Sequence, residues 1–243
     1  MKLLAFGTRN TKEILRDPLS IVFSLGFSLI LLLLLTAIQA NIPVSLFEIQ
    51  ELTPGITIFG LSFMTLFSAT LISKDRETAL LQRLYTTPLT ASDFIFGYAV
   101  PIIPIAIAQS AACYLAAVFL GLPFSIHILY AVIMILPISI LYIALGLLCG
   151  SVLNAKQVSD ICGALLINVS AWLSGTWFDL DLVGGIIKRI AYALPFVHAV
   201  ELERSILNGN FRECFPHLLW VLGYAAVTTI FAVRSFLWQM KKQ

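Results

Sequence analysis

The sequence predicts an all-α polytopic membrane protein, six transmembrane helices in one domain over residues 1–243. Three observations carry that reading. Apolar residues make up 59% of the chain and charged residues only 12%, and the mean hydropathy of +0.95 is far above that of water-soluble domains. Six apolar stretches, at about 19–38, 54–72, 98–120, 127–150, 161–178 and 218–237, approach the roughly 20 residues a helix needs to cross a bilayer. None holds a charge in its interior, and Arg234, near the end of the last, can extend its head to the interface.

Residues 2–16 set Lys2, Arg9, Glu13 and Arg16 on one helical stripe and Leu4, Gly7, Thr11, Ile14 and Leu15 on the other side, a pattern for a helix lying in the inner interface. The apolar run that follows is too long for a secretory signal and ends without a small-x-small cleavage site. Asp17 reads as an N-cap with Pro18 at the first helical position of span one. Thr53 and Pro54 repeat that start at span two. Pro101 and Pro104 in span three and Pro137 in span four remove backbone donors and should kink those helices. Gly146 with Gly150, and Ala171 with Gly175, permit close helix contact, either within the chain or between copies.

Two connections are long and organised. In residues 73–97, Ser73 is expected to cap a short amphipathic helix. Its first turn would hold Asp75 and Glu77 and one face Leu80, Leu81, Leu84 and Tyr85, with Pro88 ending it near Thr87. Thr90 and Asp93 would start the next helix. Residues 179–217 mix apolar runs with charge, including Lys188, Arg189, Glu201, Glu203 and Arg204. They suit two half-helices that turn at Pro195 and end at Asn208, Gly209 and Asn210, dipping into the outer leaflet at headgroup level.

Loop charge gives an orientation. With the N-terminus inside, only Lys188, Arg189, Arg204 and Arg212 of the 15 Lys and Arg residues lie outside, while the first outer loop carries Glu48 and Glu51. Both termini are expected on the cytoplasmic side of the cell membrane.

Several chemistries lack their residues. Cys113, Cys149 and Cys162 lie in spans and Cys214 stands outside, with neither a disulfide framework nor metal-ligand spacing. His127, His198 and His217 lack H-x-x-x-H or H-E-x-x-H spacing, which argues against an intramembrane metalloenzyme. A secondary carrier would need charged or discontinuous coordination sites at membrane depth, and only prolines are present. No G-x-x-x-x-G-K-[ST] loop occurs, so the sequence offers no phosphate cradle of that kind.

The segment SKDRETALLQRLYTTPLTASDFIFG is similar to a family pattern E-R-E-x-G-T-L-E-x-L-x-x-T-P-L-S. Asp75, Arg76, Glu77, Leu81, Leu84, Thr87, Pro88, Leu89 and Thr90 match or nearly match it. Ala79 and Leu80 replace its Gly-Thr, Gln82 an acid, and Tyr98 a Lys after Gly97. The stretch LPFVHAVELER resembles N-P-L-T-Y-A-V-E-A-L-R, with Pro195, Ala199, Val200, Glu201 and Arg204 in place and Leu194 and His198 for Asn and Tyr. With both motifs in a six-span chain, the sequence resembles the membrane (permease) subunit of type-2 ABC transporters, the ABC exporter family.

That resemblance implies a coupling helix using Asp75, Arg76, Glu77, Leu80, Leu81, Leu84, Tyr85, Thr87 and Pro88. Its partner would be a separate ABC ATPase, in two copies, that binds ATP and Mg; this chain would hold no cofactor and hydrolyse nothing. It also implies an extracellular re-entrant motif around Pro195, His198, Glu201 and Arg204, and a second permease copy or paralogue in the bilayer. No nucleic-acid partner is expected. Spans rich in Phe, Leu and Ile, with Gln109, Asn168, Ser170 and Ser174 as candidate pathway groups, suit an amphipathic cargo such as a drug, peptide antibiotic or lipid-like molecule. The alternatives are a lipid-linked glycan carried by the same machinery, or a non-ABC secondary carrier.

Overall fold

The apolar stretches fold into helices in the computed structural model, which describes residues 2–43, 47–78 and 91–242. They are α1 (Lys2–Leu15), α2 (Pro18–Gln39), α3 (Ile49–Glu77), α4 (Ala91–Ala99), α5 (Ile103–Phe119) and α6 (Ile126–Val152). After these, α7 (Ala155–Val158) runs through a π-helical section (Ser159–Leu166) into α8 (Ile167–Trp172). The chain closes with α9 (Leu180–Val183), α10 (Gly185–Ala193), α11 (Pro195–Leu207) and α12 (Phe211–Lys242). Among the described residues, five helical stretches are long and apolar enough to cross a membrane: Ile21–Gln39, Ile49–Glu77, Ile95–Phe119, Ile126–Val152 and Phe211–Trp238. The protein is thus an all-α, multi-pass membrane protein. The stretch expected as a span at 161–178 is helical over 155–172 instead, and the last long helix starts at Phe211, so it takes in Cys214 and His217.

Pro18 opens α2, and the Asp17 carbonyl accepts the first bond, from the Ile21 N–H. Two expected helix starts are corrected. Helix α3 begins at Ile49, so Thr53 and Pro54 lie inside it; Thr53 Oγ1 donates to the Ile49 carbonyl at 2.6 Å. It also runs on through Ser73, which donates to the Thr70 carbonyl at 3.1 Å rather than capping a new helix. The chain does break at Pro101, between α4 and α5. Helix α6, by contrast, continues through Pro137.

Helix α3 is the central post, buried along most of its length against α2, α5, α6 and α11. Its tightest neighbour is α6, running parallel to it: Thr65 Oγ1 donates to the Tyr142 carbonyl at 2.8 Å, and Ser68 lies beside Ile143. A Cβ on Gly146 would stand 2.4 Å from the Thr65 carbonyl oxygen, and one on Gly150 2.6 Å from that of Ala69. The G-x-x-x-G pair therefore serves contact inside the chain. Gly175, by contrast, adopts φ +72° in the turn after α8, where a left-handed backbone favours glycine. The bundle has two ends, the α1 end, where α3 finishes beside α1 and α4, and the α11 end, where α3 begins beside α11.

Candidate functional site

At the α1 end, three successive charges on α3 point in three directions, because neighbouring helix residues are about 100° apart. Asp75 is buried, 1% exposed, and its carboxylate accepts two bonds from the Arg9 guanidinium, at 2.5 and 2.7 Å, and one from the Tyr98 hydroxyl at 2.8 Å. Glu13 holds Arg9 from the other side at 2.5 Å. Arg76 donates to the Gly150 and Leu153 carbonyls, at 2.9 and 3.1 Å, filling acceptors left open where α6 ends. Glu77 accepts the Ala155 N–H at 2.8 Å, at the start of α7, where Asn154 and Gln157 form a capping box. Asp75, Arg76 and Glu77 thus tie α3 to α1, α4, α6 and α7.

Helix α1 seats differently from its expected stripe. Its buried line is Phe6, Asn10 and Ile14, while Leu15 is exposed. Asn10 Nδ2 donates to the Gly97 carbonyl at 2.9 Å, and Phe6 packs edge-on against Tyr98 at 5.1 Å. A Cβ on Gly97 would lie 2.2 Å from the Phe6 ring, so this contact needs glycine. The remaining expected coupling residues, Leu80, Leu81, Leu84, Tyr85, Thr87 and Pro88, lie outside the described residues.

At the α11 end, Leu194 is extended (φ −101°, ψ 156°) and Pro195 opens α11 as its first residue, so α10 and α11 meet at the expected turn. Asn208 caps α11 and Gly209 follows at φ +76°. Arg204 is the hub. Its Nε meets the Glu51 carboxylate at 3.0 Å, Nη1 donates to Glu201 at 2.9 Å and Nη2 to the Gly175 carbonyl at 3.0 Å. The start of α3, the turn after α8 and α11 are joined through one guanidinium.

His198 is stacked on Trp220 (4.8 Å between centroids, 15° between planes) and its Nδ1 lies 2.8 Å from that of His217. The Tyr192 carbonyl, 3.1 Å from His198 Nε2, can only accept, which places a hydrogen on Nε2. Burial, with His217 nearby, holds the His198 pKa below its ordinary value, so the ring is neutral at pH 7 and its Nδ1 accepts from His217. Glu203 is fully buried; one oxygen accepts the Tyr114 hydroxyl at 2.6 Å and the other has no partner. Burial pushes its pKa up to about 8, although the Tyr114 hydrogen bond works the other way.

The candidate pathway residues do not gather. Gln109 is buried between α2, α3 and α5, near the Thr57 carbonyl and Cys113 Sγ. Ser170, on α8, and Ser174, in the turn after it, are buried and donate to the Ile167 and Ala171 carbonyls, while Asn168 is exposed. Glu203 lies on the apolar stripe with Ala199 and Ile206, and that helical spacing was the signal available for it. For the His198–His217 pair and the Arg9–Asp75 pair there was none, since each joins residues of different elements.

A family model for the ABC-2 type transporter matches residues 1–208, which includes both the Asp75–Glu77 and the Pro195–Arg204 segments. This chain belongs to the ABC-2 type transporter family. It is 26% identical over 233 residues to ycf38 of Pyropia yezoensis, a protein whose name marks it as a transport permease; the match covers 90% of this chain and 79% of that one. It is 23% identical over 193 residues to YbhR of Escherichia coli K12 and of strain O157:H7, whose name marks it as a multidrug ABC transporter permease. That match covers 78% of this chain and 51% of YbhR, so the chain spans about half the length of this relative. An ABC-2 permease moves a substrate across a membrane as part of an ABC transporter, and the long apolar helices supply the multi-pass body that such a role needs.

Proposed function

We propose that this ABC-2 permease is the transmembrane subunit of an ATP-driven exporter, powered by a separate ABC ATPase in two copies that engages residues 75–90. The observation that carries this reading is the three-way grip of Asp75, Arg76 and Glu77, which ties α1, α4, α6 and α7 to α3 just before residues 79–90. A push on that connection would reach five helices at once. ATP and Mg would be held by the ATPase, and two permease copies, or this chain and a paralogue, would enclose the pathway. The α1 end would be cytoplasmic, consistent with Lys2, Arg9, Lys12 and Arg16 there. The 155–172 helix would serve as the fifth of six spans, residues 79–90 would hold the coupling helix, and α10 and α11 would form the outer re-entrant pair. The cargo would be amphipathic: a drug, peptide antibiotic or lipid-like molecule.

The test is co-reconstitution with the partner ATPase in proteoliposomes. The chain alone should hydrolyse no ATP, and ATP-driven transport should appear with the partner. Asp75→Asn should lower transport about tenfold, equivalent to about 1.4 kcal/mol of lost coupling. Turnover by the chain alone, or full transport in Asp75→Asn, would refute the proposal.

A further inference from the structure

A cavity of about 400 Å³ opens at the α11 end, between the start of α3, the turn after α8, α10 and α11. That is within the range of small-molecule sites. Its wall carries Trp177, Phe178 and Tyr192, three aromatic rings of which Phe178 and Tyr192 are well exposed. Glu51, Asp179, Asp181 and Glu201 also line it, against Arg204 alone among cations, with Lys188 reaching Asp181 from α10. Four carboxylates face two cations, leaving two negative charges in the site. Arg204 is committed to Glu51, Glu201 and the Gly175 carbonyl, so it offers little to an anionic ligand.

A second observation identifies what such a site recognises. The Lys188 ammonium sits over the Tyr192 ring, 5.6 Å from its centroid, while paired with Asp181. The protein's own ammonium group thus already rests on a π face beside a carboxylate, the chemistry by which aromatic cages take organic cations. Lys188 stands on a flexible stem and is 39% exposed at its side chain, so an incoming cation can displace it.

The geometry points to this cavity as a binding site for organic ammonium ions carrying an apolar group, with Lys188 as a tethered competitor. Trp177 and Phe178 take the apolar group, Tyr192 with Asp179 and Asp181 the cationic head. Binding itself does not depend on the export reading; that this is the last contact of a departing cargo does rest on it.

The test uses the full chain in lipid nanodiscs without ATP, with Trp172, Trp220 and Trp238 replaced by Phe so that Trp177 reports. Benzyltrimethylammonium should quench Trp177 saturably, and phenylmethanesulfonate, similar in size and opposite in charge, should not. Asp179→Asn with Asp181→Asn should weaken ammonium binding about tenfold, and Tyr192→Leu, which keeps every charge, should weaken it too. Lys188→Gln should tighten it. Equal binding of the two probes, indifference to the double Asn variant or to Tyr192→Leu, or weaker binding in Lys188→Gln would overturn the site. Ammonium binding by a chain that never supports ATP-driven transport would refute the export reading alone; transport without ammonium binding would refute this site alone.

Discussion

Glu203 shows how one side chain can set the pH response of the α11 end. Its carboxyl is buried with a single partner, the Tyr114 hydroxyl, and a carboxylate there would lack the hydrogen bonds that offset lost hydration. The group therefore keeps its proton to about pH 8 in the folded protein, against 4.5 ordinarily. Between those values the folded state holds a proton on Glu203 that the unfolded state has lost, so this group's contribution to stability is fully present below pH 4.5 and declines as pH rises towards 8. We expect the melting temperature in detergent to fall over that range and Glu203→Gln to flatten the profile. An equally steep profile in the variant would place the titration elsewhere. The sequence offered Glu203 as a charge among headgroup residues, because composition registers a carboxylate without its partner. Only the packing of α11 on α5 reveals Tyr114 beside it.

Among elements, the α3–α6 pair governs rigidity. Gly146 and Gly150 let α6 approach until its backbone meets that of α3, and the hydroxyls of Thr65 and Ser68 reach across to α6 carbonyls. A methyl at Gly150 would collide with the Ala69 backbone, which cannot swing aside as a side chain would, so Gly150→Ala should destabilise the protein by about 1–3 kcal/mol. Thermal unfolding in detergent measures this, and an unshifted variant would mean that the helices separate without cost. Helix positions were largely legible in the sequence because apolar length sets them: α2, α6 and the Pro101 break fall where expected. Helix ends were less so. Ser73 and Thr53 carry capping chemistry, yet α3 runs past both, since Asp75 and Arg76 gain partners on α1, α4 and α6 only if the helix continues. Local preference lost to contacts between elements distant in sequence.

For the molecule as a whole, ionic fastenings sit at both ends of an apolar middle. Arg9 and Asp75 close the α1 end, and Arg204 with Glu51 and Glu201 closes the other, where water and headgroups can solvate the remaining charge. Arginine suits both places, since its fork serves two or three acceptors at once. Helix α12 runs from the α11 end back to α4, so both termini belong to the α1 end. A cytoplasmic α1 end is part of the proposed function, and accessibility tests it. Cysteines at positions 182 and 190, replacing the exposed Leu182 and Ile190, can be tested in a Cys214→Ser background, with a third at the exposed Leu15. Position 200 is unsuitable because Val200 is fully buried. A membrane-impermeant thiol reagent should label positions 182 and 190 on intact cells, and position 15 only after the cells are broken open. The reverse pattern would put the α11 end in the cytoplasm. Residues 75–90 would then face away from any cytoplasmic ATPase, and the coupling assignment would fall with the orientation.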